Sequence, residues 1–199
     1  MNMNEARGIL QFLGAAEQLK NVYRSAWTSG GQRESVASHT WRLCLMALVF
    51  ERSFPDIDIG RLLKICIIHD LGEAIGGDIP AIEQQPNAPK AAQERNDLIT
   101  LLEPLPDAIK HEIVALWDEY EAATSPEARI AKALDKIETL LQHNQGANPP
   151  DFDYGFNLQY GRKFTDAVPL ATALRTIIDA ETQQKAAHAN GHSDRPLDE

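Results

Sequence analysis

Apolar residues recur at helical spacing over residues 5–20, 36–52, 56–74, 90–103, 107–123, 126–144 and 169–187, and no stretch alternates convincingly as a strand. The punctuation agrees: Ser35 is placed to cap the second helix, Pro126 follows Ser125 at the first turn of the sixth, and Pro55 and Pro104 fall at helix ends. The pattern predicts an all-α helical bundle in a single domain over residues 1–187, with its core at about 10–145 and an additional C-terminal helix at about 169–187. Residues 188–199 have little to bury and read as a mobile tail, which makes His188 and His192 poor ligands. Three segments read as irregular, 28–34, 78–90 and 144–163. The last is long for a structureless loop, so Phe152, Tyr154, Phe156 and Tyr160 are expected to order it against the body; a dimer contact is the second reading.

Three of the inward stripes are interrupted by polar residues. In LLKICIIHDLGEAIGGDIPA, residues 62–81, the stripe Leu62, Ile65, Ile68 runs into His69, Asp70 and Glu73. His39 is in phase with Val36, Leu43, Ala47 and Phe50, and Asp135 directly follows Leu134 on the stripe Ile130, Leu134, Ile137, Leu141. An unpaired buried carboxylate costs more than one residue of packing returns, so these groups need compensation. Singly, each reads more simply as a hydrogen-bonded core residue. Jointly, two imidazoles and two carboxylates from three helices, His39, His69, Asp70 and Asp135, form a mixed nitrogen and oxygen set suited to one divalent transition metal: Mn, Fe, Co, Ni or Zn. Four ligands leave one or two positions for water and a substrate oxygen, the open arrangement that catalysis needs.

Composition narrows the partners. A chain of 199 residues with 43% hydrophobic content suits one globular domain. Cys44 and Cys66 lie in apolar helical patterns without CxxC spacing and read as buried free thiols. The N-terminus lacks a secretory layout, and no apolar run approaches the roughly 20 residues that span a bilayer. The expectation is a cytoplasmic protein without a membrane partner. A net charge of −10 argues against a nucleic-acid partner. One region runs the other way: between Lys20 and Arg52 five basic residues face two acidic ones, a place to steer a small anion or simply a solvated mixed face.

The set His39, His69-Asp70 and Asp135 resembles the H…HD…D pattern of the HD-domain metal-dependent phosphohydrolases. Within them, RESVASH, HDLGEAIGGDIPA and ALDKIETLLQ look like the 5'-deoxynucleotidase family, over about residues 10–145. The resemblance implies a single HD domain that hydrolyses deoxyribonucleoside 5'-monophosphates, with the four ligands above around one ion. It also implies Glu73 and Asp78 as the acid/base and substrate-orienting carboxylates, and Arg24 and Trp27 as contacts to phosphate and sugar. In some bacterial members the arginine and tryptophan are adjacent; here RSAW separates them, as in the eukaryotic-like branch. If that stretch is helical or tightly turned, one face offers guanidinium and indole together. By analogy a homodimer is expected. The rivals are another HD activity, on a cyclic nucleotide, a dNTP or guanosine tetraphosphate, a non-catalytic nucleotide sensor, and a helical protein with structural buried ion pairs. A zinc-protease helix is excluded because Ala115 stands where His111-Glu112 would need a second histidine, and no phosphate-cradling GxxxxGK occurs.

Overall fold

The computed structural model describes residues 2–80 and 90–192. Helices α1 (Met3–Ala16), α2 (Val36–Val49), α3 (Ile59–Ile68), α4 (Glu73–Gly76), α5 (Lys90–Leu101), α6 (Asp107–Ala122), α7 (Pro126–Gln145), α8 (Tyr154–Asn157), α9 (Arg162–Thr165) and α10 (Pro169–His192) carry the fold. Their starts follow local chemistry. Ser35 caps α2 by accepting from the Ser38 amide, Asp58 caps α3 through the Arg61 amide, and Ser125 caps α7 with Pro126 in its first turn. None of the described helices is long and apolar enough to cross a membrane.

Helix α7 is the axis of the domain, packed by α2, α3, α6, α9 and α10. Being enclosed on most sides, it buries 14 of its 20 residues, which leaves room for polar side chains only where they find partners. The core around it holds Leu43, Leu62, Ile65, Leu98, Leu102, Leu134, Ile137 and Leu140, all fully buried.

Three expectations are corrected. The segment before α2 is a hairpin, β1 (Tyr23–Trp27) and β2 (Arg33–Ser35), antiparallel with Tyr23 opposite Ser35 and Trp27 opposite Arg33. Its inward residues are Arg24 and Ala26 on β1 and Glu34 on β2, so no hydrophobic alternation announces it. The real signal is the Gly30-Gly31 pair, with Gly31 at φ 77° in the turn. The expected helix 56–74 stops at Ile68; His69–Gly72 form a turn before α4. There a Cβ on Gly72 would lie 2.5 Å from the Glu94 carbonyl oxygen, so the turn and α5 approach as closely as they do because residue 72 has no side chain. The helix expected to end near 187 runs to His192, which takes residues 188–192 out of the anticipated tail; the rest of that tail lies outside the described residues. So do residues 81–89 of the irregular 78–90 segment.

Gly77 ends α4 at φ 79°, the sharp turn that the Gly76-Gly77 pair predicts. Segment 144–163 is ordered by its aromatic residues: Phe152 lies edge-on to both His143 and Tyr154, each with 4.9 Å between ring centroids.

Candidate metal centre

Four polar side chains from three separate places in the chain meet beside α7. His39 comes from the first turn of α2, His69 and Asp70 from the turn that ends α3, and Asp135 from the middle of α7. His39, His69 and Asp135 are buried, and the Asp70 side chain keeps 17% exposure, which leaves one approach from the cavity.

Each imidazole is oriented from behind. The Nδ1 of His69 is 2.8 Å from the Cys66 carbonyl oxygen, which can only accept, so Nδ1 donates and Nε2 keeps its lone pair. The Nδ1 of His39 faces the Glu138 carboxylate in the same way, and Glu138 in turn accepts from Arg42 Nε at 2.6 Å. Trp117 donates to the His69 carbonyl at 3.1 Å, and so pins the turn that carries the ligand pair.

The two Nε2 atoms then look at carboxylate oxygens: His69 Nε2 is 3.0 Å from Asp70 Oδ2, and His39 Nε2 is 3.3 Å from Asp135 Oδ1 and 3.9 Å from Asp70 Oδ2. Burial and Arg24 lower the pKa of His39, but the Glu138 and Asp135 carboxylates outweigh them and raise it to about 9, so His39 draws a cation, a proton or a metal ion, to the space between its Nε2 and the carboxylate oxygens. His39 Nε2, His69 Nε2 and Asp70 Oδ2 are buried with no hydrogen-bond partner, and the ligand atoms of these three residues lie within 4.8 Å of one another. Asp135 uses its other oxygen, Oδ2, to accept from Tyr120 at 2.9 Å and to pair with Lys136 at 2.8 Å, so only Oδ1 is turned to the site. The donor set and its orphaned atoms fit a divalent ion.

A cavity of about 1000 Å³ is lined by His69, Asp70 and Asp135, with His39 buried behind them, and also by Arg24, Glu73 and Asp78. Arg24 donates to Thr139 at 2.9 Å and lies 3.5 Å from Asp70 and 3.6 Å from Glu34. Burial pushes the Asp70 carboxyl up, but His69, His39 and Arg24 outweigh it and hold it well below the ordinary carboxylate range. Glu73 goes the other way: burial, then Asp70 and Asp78, raise it to about 10, and its Oε2 has no partner. Asp78 is also raised, by burial and by Asp70 against the pull of Arg24.

Seven of the eight residues singled out in the sequence are thus brought together. Trp27 is not: it ends β1, is absent from the cavity lining, and engages the body through its backbone carbonyl, which accepts from Gln142 at 2.6 Å. A strand instead of a helix is the reason, since residues three apart on a strand take opposite faces. Glu138, Lys136 and Tyr120 were not foreseen as parts of the site. Trp117 and Tyr120 are both buried.

A helical bundle carrying a histidine, a histidine-aspartate pair and a further aspartate around one point defines a class, and the HD domain family model matches residues 16–174. The chain belongs to the HD-domain family. It is similar to the 5'-deoxynucleotidase HDDC2 of Danio rerio, 36% identical over 141 residues that cover 69% of this chain and 68% of that protein. The Homo sapiens protein of the same name is 36% identical over 142 residues, covering 70% of this chain and 69% of its own. A solved structure described as a predicted metal-dependent phosphohydrolase from Magnetospirillum magnetotacticum superposes with a TM-score of 0.79 at 26% identity, covering 94% of this chain and 95% of that one.

Proposed function

We propose that the chain hydrolyses the phosphomonoester of deoxyribonucleoside 5'-monophosphates, releasing deoxynucleoside and phosphate, with one divalent transition metal held by His39, His69, Asp70 and Asp135. The observation that carries the reading is the convergence of two oriented, unpartnered imidazole nitrogens with Asp70 at the end of a cavity that also holds Arg24 and Glu73. Relatives at 36% identity named 5'-deoxynucleotidase supply the substrate class.

When bound, the ion supplies Lewis acidity, lowering the pKa of water and polarising a phosphoryl oxygen. The chain's own groups do the rest. Arg24, fixed by Thr139 and drawn toward Asp70, presents its guanidinium to the phosphoryl group as charge develops. Glu73, kept protonated by burial and its carboxylate neighbours, carries a proton for the 5'-oxygen as the P–O bond breaks. Asp78, across the same cavity, orients the nucleotide.

The cavity's other cations favour a monophosphate over a triphosphate. Lys90, Lys132, Lys136 and Arg162 are already paired with Glu94, Glu121, Asp135 and Asp179 at 3.1, 3.0, 2.8 and 2.8 Å, which leaves Lys163, set over the Phe164 ring, as the one of them without an ion pair among the described residues, too little positive charge to neutralise three phosphates. The same reading has the enzyme acting in the cytoplasm on a free nucleotide and not on nucleic acid; the free thiols Cys44 and Cys66 and the net charge of −10 support it. A homodimer is part of the reading, supported by the exposed stripe Trp41, Leu45, Leu48 on α2.

The test is phosphate release from a panel of deoxynucleoside and ribonucleoside monophosphates, dNTPs, cyclic nucleotides and guanosine tetraphosphate, after chelation and readdition of Mn, Co, Fe, Ni or Zn. Metal-dependent release from the deoxynucleoside monophosphates is expected. Preference for any other group of the panel overturns the assignment.

A further inference from the structure

The cavity continues well past the metal-ligating side chains. Asp135, Thr139 and His143 fall at steps of four on α7 and all line it, so this wall runs for two helical turns, about 12 Å from the rise of an α-helix. That length suits a nucleoside monophosphate laid along α7 with its phosphate at the Asp135 end. Phe152 walls the far end beside His143, and Phe156 and Tyr160 line the same cavity. Phe156 and Tyr160 have ring centroids 5.7 Å apart at 32°. Tyr160 is also close to the centre, because Lys136, which holds Asp135, lies 5.3 Å from its ring.

Two polar atoms in this wall are left over. The Nδ1 of His143 is 3.1 Å from Asn157 Oδ1, an acceptor, so Nδ1 donates and Nε2 keeps a lone pair. His143 is 8% and Asn157 1% exposed, and His143 Nε2 and Asn157 Nδ2 have no hydrogen-bond partner. One is an acceptor and the other a donor. Buried groups in this condition have lost water without replacement unless a ligand supplies the matching atoms. The edge-on ring of Phe152 screens the pair from water, and a flat aromatic ligand entering against it can take over that screening.

We propose that this end of the cavity is a nucleobase subsite, in which the base lies against Phe152, Phe156 and Tyr160 while its edge meets His143 Nε2 and Asn157 Nδ2. The inference rests on the deoxynucleotide reading above. Every nucleobase carries a donor beside an acceptor on its pairing edge, so stacking serves all four bases and the order of donor and acceptor sets the preference among them.

Steady-state kinetics on dAMP, dCMP, dGMP, dTMP and 2-deoxyribose 5-phosphate, which has the phosphate and sugar but no base, test this. Phe156→Ala is expected to raise KM for the four nucleotides about tenfold, the scale of one lost stacking contact, and to leave KM for the sugar phosphate in place. Phe156 is 37% exposed, so its truncation does not threaten the fold. His143→Phe, which keeps a ring against Phe152, should weaken nucleotide binding and alter the order among the four bases. Calorimetric titration of dAMP into each variant in a Glu73→Gln background gives the same comparison as Kd without turnover. Equal losses on nucleotides and sugar phosphate, or no loss on nucleotides from either variant, overturn the subsite and leave the hydrolase reading standing. Absence of phosphate release from every deoxynucleotide by the metal-loaded wild-type chain overturns both.

Discussion

Glu138 is the most consequential residue of the site that touches no substrate. It is fully buried, accepts from His39 Nδ1 with one oxygen and from Arg42 Nε at 2.6 Å with the other, and so joins α7 to α2 behind His39 Nε2. Glu138→Gln keeps the volume but replaces one of the two accepting oxygens by an NH2 group, so either His39 or Arg42 loses its acceptor. A hydrogen bond to a charged group contributes roughly 1.5–3 kcal/mol. If His39 is the loser, its ring is no longer held in the tautomer that turns Nε2 toward Asp70 and Asp135, and loss of such an outer partner typically weakens metal binding by about 10–100-fold. If Arg42 is the loser, the damage falls on stability, because Arg42 then keeps only its contact to Gln145 at 2.8 Å. The assay is Co(II) titration against a competing chelator, with thermal unfolding of the metal-free protein alongside. Asp70→Ala, which removes a proposed ligand outright, is the reference for complete loss of stoichiometric binding. Unchanged metal affinity together with an unchanged Tm in Glu138→Gln would refute the positioning role.

Glu73→Gln should retain metal and lose about 100-fold or more in turnover, the scale of general acid/base catalysis; loss of metal, read by elemental analysis, would instead make Glu73 a ligand. Trp27→Ala should leave the ratio of AMP to dAMP hydrolysis within about twofold, a change too small to count as sugar discrimination, because the indole is absent from the cavity lining; a tenfold rise in the ratio would restore it as the wall against the 2'-hydroxyl. His143 is held neutral: burial, with help from Arg24, lowers its pKa from 6.5 to about 4. Its contribution to stability is therefore complete above pH 6.5 and is lost as pH falls toward 4, by roughly 3 kcal/mol at most. Urea unfolding of the metal-free protein at pH 7 and pH 4.5 should show a larger loss for wild type than for His143→Phe, and equal losses would refute it.

The parts of the site that lie on inward stripes were legible, because His39 and Asp135 each interrupt a run of apolar residues at helical spacing and the stripe itself tells which way they point. The same logic reached His69 and Asp70 but misjudged their setting. They occupy a turn beyond the end of α3, and that turn packs through Gly72 against the Glu94 carbonyl, a contact between distant segments. Glu138 sits one turn after Asp135, yet its partners His39 and Arg42 are 99 and 96 residues away, and no local pattern encodes them. Arg24 was found by resemblance alone. Its surroundings depended on a hairpin whose inner face is an arginine, an alanine and a glutamate, residues that do not advertise a strand.

What unites the site is the register of α7. Lys132, Asp135, Glu138, Thr139, Gln142, His143 and Asn144 are the buried polar residues of a helix whose other buried positions belong to the core, and each except Thr139 is charged or carries an amide or imidazole. A buried helix tolerates such residues only where every one finds a partner. Here the partners sort them by direction. Glu138 turns to α2 and Gln142 to the hairpin, which brace the bundle, while Asp135, Thr139 and His143 turn to the cavity. Successive residues are about 100° apart around the helix, so these two sets of contacts fix its rotation from both sides. The brace and the cavity wall therefore belong to one rigid element: the hydrogen bonds that hold α7 against α2 and the hairpin also set where its carboxylate, hydroxyl and imidazole stand along the cavity.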